Sequence, residues 1–293
     1  MKAARVSMPA LLLRQLRPKQ WTKNLLVFAA LLFSFDRIAP GTVAASLAGF
    51  LLFSFVAGCV YIINDVADRE ADRHHPTKRL RPIASGALRP GTALIFGGLL
   101  LAGSLTAAYA INPLFMVLLT GYFALNVSYS FKLKHMVIID IMTIAAGFVL
   151  RAIAGGLVIH VPFTPWFLLC TLLLSLFLAI GKRRQELVLL GSGVGTHREV
   201  LSLYSLPLLD QLTSIVTTAT IMAYSLFTFT SERTIHLMWT IPLVLYGIFR
   251  YLYLIHIEGK GGSPDRVLLE DRPLLATVVI YVISVLCILA WFE

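Results

Sequence analysis

Charged side chains are scarce in this chain, and acids are scarcer than bases. Asp, Glu, Lys and Arg make up 14% of its 293 residues, whereas 58% are hydrophobic; soluble domains are about 25% charged. The composition therefore excludes a soluble domain with one anchor and indicates a protein embedded in a membrane over its whole length. The net charge of +10 does not indicate nucleic-acid binding, because the basic residues lie in short segments between apolar runs.

Cysteine is also rare. Cys59, Cys170 and Cys287 each lie in a different apolar stretch, and the sequence holds no CxxC motif or Cys/His ligand spacing. This pattern argues against a structural zinc site or a redox-active dithiol. The three cysteines are expected to act as small hydrophobic side chains.

Nine apolar runs, each close to the ~20 residues that a helix needs to cross a membrane, follow one another along the chain. They lie near residues 21–38, 42–64, 91–111, 113–131, 137–158, 164–181, 207–229, 237–257 and 274–292. Joints with proline, such as Asn112-Pro113, are typical of tight turns between antiparallel helices. We therefore predict an all-α integral membrane protein with nine transmembrane helices, forming a single domain over residues 1–293.

Lys and Arg are distributed unevenly between the two sides that nine spans define. All but four of the 25 lie in the N-terminal segment or in every second connection. The exceptions are Arg37 and Arg233 on the other side, and Arg151 and Arg250 within spans. Because cytoplasmic segments are enriched in Lys and Arg, we expect a cytoplasmic N-terminus and an outside C-terminus. The expected location is the plasma (inner) membrane, which the chain crosses many times.

An acidic stretch follows the second span, in the sequence YIINDVADREADRHHPTKRLRPIASG. Asp65, Asp68 and Asp72 recur at i, i+3 and i+7, which predicts that their carboxylates share one face of a continuing helix. Tyr61 precedes them on that face, and Asn64 lies one turn before Asp68. Oxygen ligands at this spacing suit Mg²⁺, which binds one or two carboxylates together with phosphate oxygens and water.

Two interpretations of this stretch are open from the residues alone. In one, the acids form a solvated helix end balanced by Arg69 and Arg73. In the other, they hold Mg²⁺, and His75, Lys78 and Arg81, which follow at three-residue intervals, surround an anion bound to it. A metal-bound anion flanked by Lys and Arg is typical of sites that hold and ionise a diphosphate.

The motif NDVADREAD resembles the N-D-x-x-D-x-x-x-D motif of the UbiA superfamily of intramembrane prenyltransferases, and HPTKRLRPIASGAL resembles its continuation. The resemblance implies a UbiA-type bundle of nine transmembrane helices with active-site loops on the cytoplasmic side. It also implies an enzyme that depends on Mg²⁺ to ionise a diphosphate.

Further segments resemble the decaprenyl-phosphate phosphoribosyltransferase branch of that superfamily. They are RPKQWTKNLLVFAALLFS, YSFKLKHMVIIDIMTIAAGFVLRAIAGG, KRRQEL and SPDRVLLEDRPL. The resemblance implies transfer of the phosphoribosyl group of phosphoribosyl diphosphate to a polyprenyl phosphate, in the synthesis of cell-wall arabinan precursors. The expected loop after the sixth span has Lys182, Arg183 and Arg184 but lacks the second Asp-rich motif of prenyl-transferring members. This difference favours an acceptor that is itself a phosphate.

The resulting hypothesis gives each candidate residue a role. The Mg²⁺ ligands are Asn64, Asp65, Asp68 and Asp72, of which the aspartates are catalytic; the phosphate-binding residues are Lys23, Lys78, Arg81 and Lys134, with His75 either beside a phosphate or packed in the loop. Tyr61 and Tyr129 contact the ribose or its 5-phosphate, and Lys182 and Arg183 contact the lipid phosphate. Arg151, inside the fifth span, contacts a ligand or forms a structural charge network with Asp140.

Two other functions fit fewer of these observations. A UbiA-type prenyltransferase acting on an aromatic or other polar acceptor would carry the second Asp-rich motif. A transporter would show inverted repeats and broken helices at the midplane, and the sequence has no internal repeat. The expected partners are therefore phosphoribosyl diphosphate, a polyprenyl phosphate and the bilayer, with no nucleic acid. The sequence leaves open whether the protein forms a homo-oligomer.

Overall fold

The computed structural model describes residues 7–34, 38–162, 164–191, 199–230, 234–262 and 264–292. Twelve α-helices and no strand occur within these ranges. The helices are α1 Met8–Gln15, α2 Ala29–Leu32, α3 Pro40–Ala67, α4 Arg69–His74, α5 Pro90–Ile111, α6 Pro113–Phe131, α7 Ile139–Ile159, α8 Pro165–Gly191, α9 Leu206–Thr230, α10 Ile241–His256, α11 Pro264–Glu270 and α12 Arg272–Phe292. The 3-10 helices are Pro18–Phe28, Lys78–Leu80, Leu133–His135, Glu199–Leu203 and Ile235–Thr240.

Proline marks the start of several long helices. Pro40, Pro90, Pro113 and Pro165 are the first residues of α3, α5, α6 and α8. Proline fits there because its fixed φ suits the helix, and its missing N–H would have no intrahelical partner in the first turn. The proline-containing joints predicted as turns are therefore the points where helices begin.

Eight helical segments among the described residues are long and apolar enough to cross a membrane. They are α3, α5, α6, α7, α8, α9, the segment Ile235–His256 and α12. They confirm the all-α, multi-span membrane fold predicted from the sequence. The first expected span, 21–38, has a different form: the 3-10 helix Pro18–Phe28 precedes one turn of α2, and residues 35–37 lie outside the described ranges. An 11-residue 3-10 helix is unusually long.

The chain divides into two compact units. Unit 1 comprises the described residues within 1–31, 38–131 and 150–161, and unit 2 those within 32–37, 132–149 and 162–293. The first half of α7 therefore belongs to unit 2 and its second half to unit 1.

In unit 1, α3 contacts α5, α6 and the 3-10 helix Pro18–Phe28. Phe53 and Phe115 are fully buried in its apolar core. The second half of α7 approaches the 3-10 helix so closely that a Cβ atom on Gly155 would lie 2.1 Å from the carbonyl oxygen of Val27. Only glycine fits at this position, which supports a packing role for the small residues of this span.

In unit 2, α8 lies along α9, and α10 packs against α12. Phe177, Leu209 and Leu254 are buried in its core. The helix α8 continues to Gly191, whereas the sequence predicted an end near residue 181. The prediction that the KRRQEL segment forms a connecting loop is therefore wrong, because its basic residues lie on a helix.

Candidate active site

The acids that follow the second expected span lie around a break in the helix. α3 ends at Ala67, Asp68 occupies the junction with φ −89° and ψ 8°, and α4 begins at Arg69. The backbone N–H of Asp72 donates to the carbonyl of Asp68 at 2.8 Å, so α4 begins directly at the break. The prediction that one helix continues through these acids is therefore wrong at Asp68. Asp65 and Asp72 nevertheless converge on Arg81.

Asp65 and Asp72 share one guanidinium. The Nη1 atom of Arg81 donates to Oδ1 of Asp65 at 2.9 Å and to Oδ2 of Asp72 at 2.5 Å. Asp65 also accepts hydrogen bonds from the guanidinium of Arg17 and, at 2.7 Å, from Nε2 of Gln15. Asp65 is 1% exposed and Asp72 is 3% exposed. Such buried carboxylates are tolerated because cations and hydrogen-bond donors pair with them.

Several side-chain oxygen atoms in this region lack a hydrogen-bond partner, including the buried Oε1 of Gln15. Oδ1 of Asn64 is buried and accepts no hydrogen bond, and the exposed carboxylate of Asp68 forms no side-chain hydrogen bond or ion pair within the described ranges. A buried amide oxygen without a partner is costly, so the Asn64 oxygen would gain from a ligand that it can bind. Amide and carboxylate oxygens are the donors that Mg²⁺ prefers, so the residue types fit this ion. Within the described part of the chain, no three acidic, His or Cys side chains already form a metal-binding group.

Arg73 and His75 have local roles in the loop that follows. Arg73 pairs with Glu70 at 2.9 Å, so its guanidinium does not balance the buried aspartates. Nδ1 of His75 accepts the backbone N–H groups of Thr77 at 3.2 Å and Lys78 at 3.3 Å. Packing within the loop, one of the two roles predicted for His75, therefore has direct support.

Three further candidates of unit 1 are half-buried. They are Lys23, Lys78 and Tyr129. The ammonium group of Lys78 forms no hydrogen bond or ion pair with any described residue. It therefore has its full donor capacity for an anionic ligand.

Arg17 is a site residue that the sequence patterns did not indicate. It lies between α1 and the 3-10 helix Pro18–Phe28, its φ is +53°, and its guanidinium lies 4.8 Å from the centroid of the Tyr61 ring. A left-handed backbone is unfavourable for residues with a side chain and clusters at functional sites. The available signal was an arginine directly before a proline, where a helical conformation is disfavoured. Topology alone accounted for its charge, so the position carried no functional prediction.

Arg151 is buried in unit 1, and its contacts include neutral side chains. It is 7% exposed, donates to Oδ1 of Asn24 at 2.8 Å, and donates to the hydroxyl of Tyr122 at 2.8 Å. Its guanidinium also lies 5.3 Å from the ring centroid of Phe53. Asp140, the alternative partner predicted from the sequence, belongs to unit 2, where its carboxylate pairs with Arg183.

Arg183 lies in a buried cluster of unit 2. Its side chain is 1% exposed and donates to Asp140 at 2.7 Å and to Glu186 at 2.5 Å. The hydroxyl of Tyr204 also donates to Asp140, at 2.7 Å. Burial and this hydrogen bond raise the pKa of Tyr204 above its usual range. These contacts give Arg183 a structural role.

The remaining basic candidates of unit 2 are more accessible. Lys182 lies 3.9 Å from Glu186 and its side chain is 41% exposed, while Lys134 is half-buried in the 3-10 turn Leu133–His135.

Unit 2 also contains a cleft of about 520 Å³, which is lined by Asp210, Thr213, Ser214, Thr217, Thr218, Leu252, Tyr253 and His256. None of the residues predicted from the sequence lines this cleft.

A sequence model of the UbiA prenyltransferase family matches residues 24–269. The decaprenyl-phosphate phosphoribosyltransferase of Mycolicibacterium smegmatis is 35% identical over 277 residues, covering 90% of this chain and 87% of that protein. The protein of the same name from Corynebacterium glutamicum is 37% identical over 282 residues, covering 94% and 85%. A structure of a UbiA homolog from Archaeoglobus fulgidus bound to GPP and Mg²⁺ covers 96% of this chain and 99% of that one, with a TM-score of 0.72 at 20% identity. This last similarity concerns the fold.

Proposed function

Because the chain belongs to the UbiA prenyltransferase family, we propose that it transfers the 5-phosphoribosyl group of phosphoribosyl diphosphate to a polyprenyl phosphate and releases diphosphate. The names of relatives that are 35% and 37% identical over most of the chain support this reaction and a decaprenyl-type acceptor. The observation that carries the proposal is the pairing of two buried aspartates with two arginines beside unpaired oxygen donors. The lipid product would serve cell-wall arabinan synthesis.

The metal site of this proposal consists of oxygen donors. The residues that would hold Mg²⁺ are Asn64, Asp65, Asp68 and Asp72. When bound, the ion supplies positive charge that offsets the charge developing on the diphosphate leaving group. The UbiA homolog from Archaeoglobus fulgidus was solved with Mg²⁺ bound, which supports a divalent ion in this family.

The transfer requires cations at the donor and no proton acceptor. The bond between the anomeric carbon and the diphosphate oxygen breaks, and its electron pair leaves with the diphosphate. An oxygen of the lipid phosphate then forms the new bond to that carbon. Arg81 and Lys78 stabilise the negative charge of the leaving group. Since the lipid phosphate is already anionic at neutral pH, no general base has to activate it.

The other candidates orient the two substrates. Tyr61 and Tyr129 contact the ribose or its 5-phosphate, and Lys23 and Lys134 contact phosphate oxygens. Lys182 contacts the lipid phosphate. Arg151 contributes a buried cation, which donates hydrogen bonds to Asn24 and Tyr122, to the contact with a ligand.

The membrane orientation follows the distribution of basic residues. The segments rich in Lys and Arg, including the one that carries Lys78 and Arg81, face the cytoplasm by the positive-inside rule. The donor, a water-soluble diphosphate, therefore enters from the cytoplasmic side of the plasma membrane. The N-terminus lies on the same side and the C-terminus on the opposite side.

A transfer assay tests the reaction. Purified protein in lipid nanodiscs is incubated with Mg²⁺, phosphoribosyl diphosphate labelled in the ribose, and decaprenyl phosphate. Label should appear in the lipid fraction, and the same amount of diphosphate should be released. Omission of the lipid phosphate should abolish both.

A parallel reaction distinguishes the alternative. If no labelled lipid forms, while a prenyl diphosphate and an aromatic acceptor do react, the protein is a prenyltransferase and the proposal is wrong. Release of diphosphate without the lipid phosphate would also contradict it, because it would indicate hydrolysis of the donor.

A further inference from the structure

We propose that Arg17 and Arg81 pair with the buried carboxylates of Asp65 and Asp72 when no ligand is bound. When a metal ion and the donor bind together, the metal takes these carboxylates and the two guanidinium groups bind the donor's diphosphate instead. This inference rests on the proposed function and extends it to the order of binding. It predicts weak affinity for a divalent cation alone and strong mutual enhancement between the cation and the diphosphate. It also assigns Arg17 as a residue that contacts the donor.

The hydrogen bonds of Asp65 use both of its oxygens. Oδ1 accepts from Arg17 and Arg81, and Oδ2 accepts from Gln15. The same Nη1 atom of Arg81 bonds to Asp72. The two aspartates and two arginines therefore form a set of four charged side chains with no net charge.

Binding of a divalent cation alone to these four charged side chains is electrostatically unfavourable. To bind Asp65 it must displace guanidinium groups, and these groups remain nearby as like charges. Repulsion between like charges at a few ångströms is strong in a buried site. A cation that arrives with a diphosphate meets a different balance, because the diphosphate oxygens accept the displaced guanidinium groups in charge-assisted hydrogen bonds.

The position of Arg17 supports this exchange. Its backbone is held in the left-handed region, at φ +53°, immediately before Pro18, and its guanidinium lies over the ring of Tyr61. The guanidinium of Arg17 stacks on the ring of Tyr61, and only its terminal nitrogen binds the carboxylate of Asp65. A change of partner from Asp65 to a phosphate oxygen therefore needs no change of backbone.

Coupling between two ligands is reciprocal: each raises the affinity of the other by the same factor. In the wild-type protein, bound radioactive Mn²⁺ is measured without ligand and with inorganic diphosphate, and bound radiolabelled diphosphate is measured over a series of Mg²⁺ concentrations. Each ligand should raise the affinity of the other by about tenfold or more, a typical size for coupling between ligands. Equal Mn²⁺ affinity with and without diphosphate in this protein would overturn the inference, and this measurement needs no variant.

The variant Arg17→Gln separates a donor contact from a structural contact. It should bind Mn²⁺ alone about tenfold more tightly and bind the magnesium–diphosphate complex about tenfold more weakly, roughly the effect of one charge-assisted hydrogen bond. A loss of both affinities with a lower melting temperature would mean that Arg17 only supports the fold. Unchanged affinities would also overturn the inference.

The matched control is Arg14→Gln. Arg14 lies in the same segment but donates to the carbonyl of Leu80 at 3.4 Å, so neither affinity should change. The outcome can be separated from that of the proposed function. Coupled binding without labelled lipid would refute only the proposed reaction, and labelled lipid formation with an unaffected Arg17→Gln protein would refute only this inference.

Discussion

The hydroxyl of Tyr204 accepts the backbone N–H of Ile138 at 2.7 Å, although 66 residues separate the two in the sequence. Ile138 has a φ of +69°, an unfavourable backbone for a β-branched residue. The same hydroxyl donates to Asp140, which also binds Arg183. This cluster fixes the turn between Lys134 and α7. It therefore determines the position within unit 2 of Lys134, a candidate phosphate-binding residue.

Replacement of Tyr204 by phenylalanine removes both hydrogen bonds and leaves the N–H of Ile138 and one oxygen of the buried Asp140 carboxylate without this partner. We expect the free energy of unfolding to fall by about 1–3 kcal/mol, measured by thermal unfolding in detergent. Tyr109→Phe is the control, because Tyr109 is 59% exposed on the apolar surface of α5. Equal effects of the two changes would contradict the role given to Tyr204.

Lys182 and Arg183 are neighbours on α8 with opposite expected effects. Arg183→Met should destabilise the protein by about 3–5 kcal/mol, because it leaves the carboxylate of Asp140 buried without its cation. Lys182→Met should leave the melting temperature nearly unchanged and raise the KM for the polyprenyl phosphate, with an unchanged KM for the donor. An Arg183→Met protein with normal stability and a raised lipid KM would restore the original prediction for this residue.

Asp68 is expected to matter for turnover and not for folding. Its carboxylate is exposed and unpaired within the described residues, so Asp68→Asn should retain the melting temperature and reduce kcat by about 100-fold or more, since the charge that binds the metal is lost. Glu70→Gln is the matched control and should leave kcat nearly unchanged, because Glu70 is an exposed acid on α4 that pairs with Arg73. Near-normal activity of Asp68→Asn would contradict the metal assignment.

The sequence predicted the membrane fold well because the signal is long-range and redundant. Hydrophobic runs of about 20 residues and the positions of prolines such as Pro90 and Pro113 survive small errors in any one residue. The helix type of segment 18–32 could not be predicted in the same way, because its composition is apolar while its backbone is mainly a 3-10 helix. The choice between the two helix types depends on close packing, such as that of Gly155 against Val27.

Within the site, the residue types were predictable and the pairings were not. Spacing identified Asp65 and Asp72, but the helix break at Asp68 changes how they meet. Arg17 lies 48 residues from Asp65, a separation at which no periodic pattern operates. Its pairing arises from the packing of the 3-10 segment against α3, which tertiary structure alone determines.

Asp271 gives a pH-dependent contribution to stability at the start of α12. It accepts hydrogen bonds from Arg250 at 2.7 Å and from the backbone N–H of Leu274 at 2.9 Å. The hydrogen bond from Arg250 holds the pKa of the Asp271 carboxyl below its usual range. A lowered pKa means that the unfolded chain takes up the proton first as the pH falls. The pairing therefore stabilises the fold above about pH 4 and is lost as the pH falls further, through the folded pKa.

The variant Asp271→Asn tests this dependence, because the amide oxygen can still accept the N–H of Leu274 while the charge is removed. Its melting temperature should be below that of the wild type at pH 7, and the difference should shrink as the pH falls below about 4. Glu270→Gln, at the exposed neighbouring acid, should show a much smaller difference at pH 7. A difference for Asp271→Asn that is the same at pH 7 and at low pH would mean that the side chain stabilises α12 through its shape and hydrogen bonds and not through its charge.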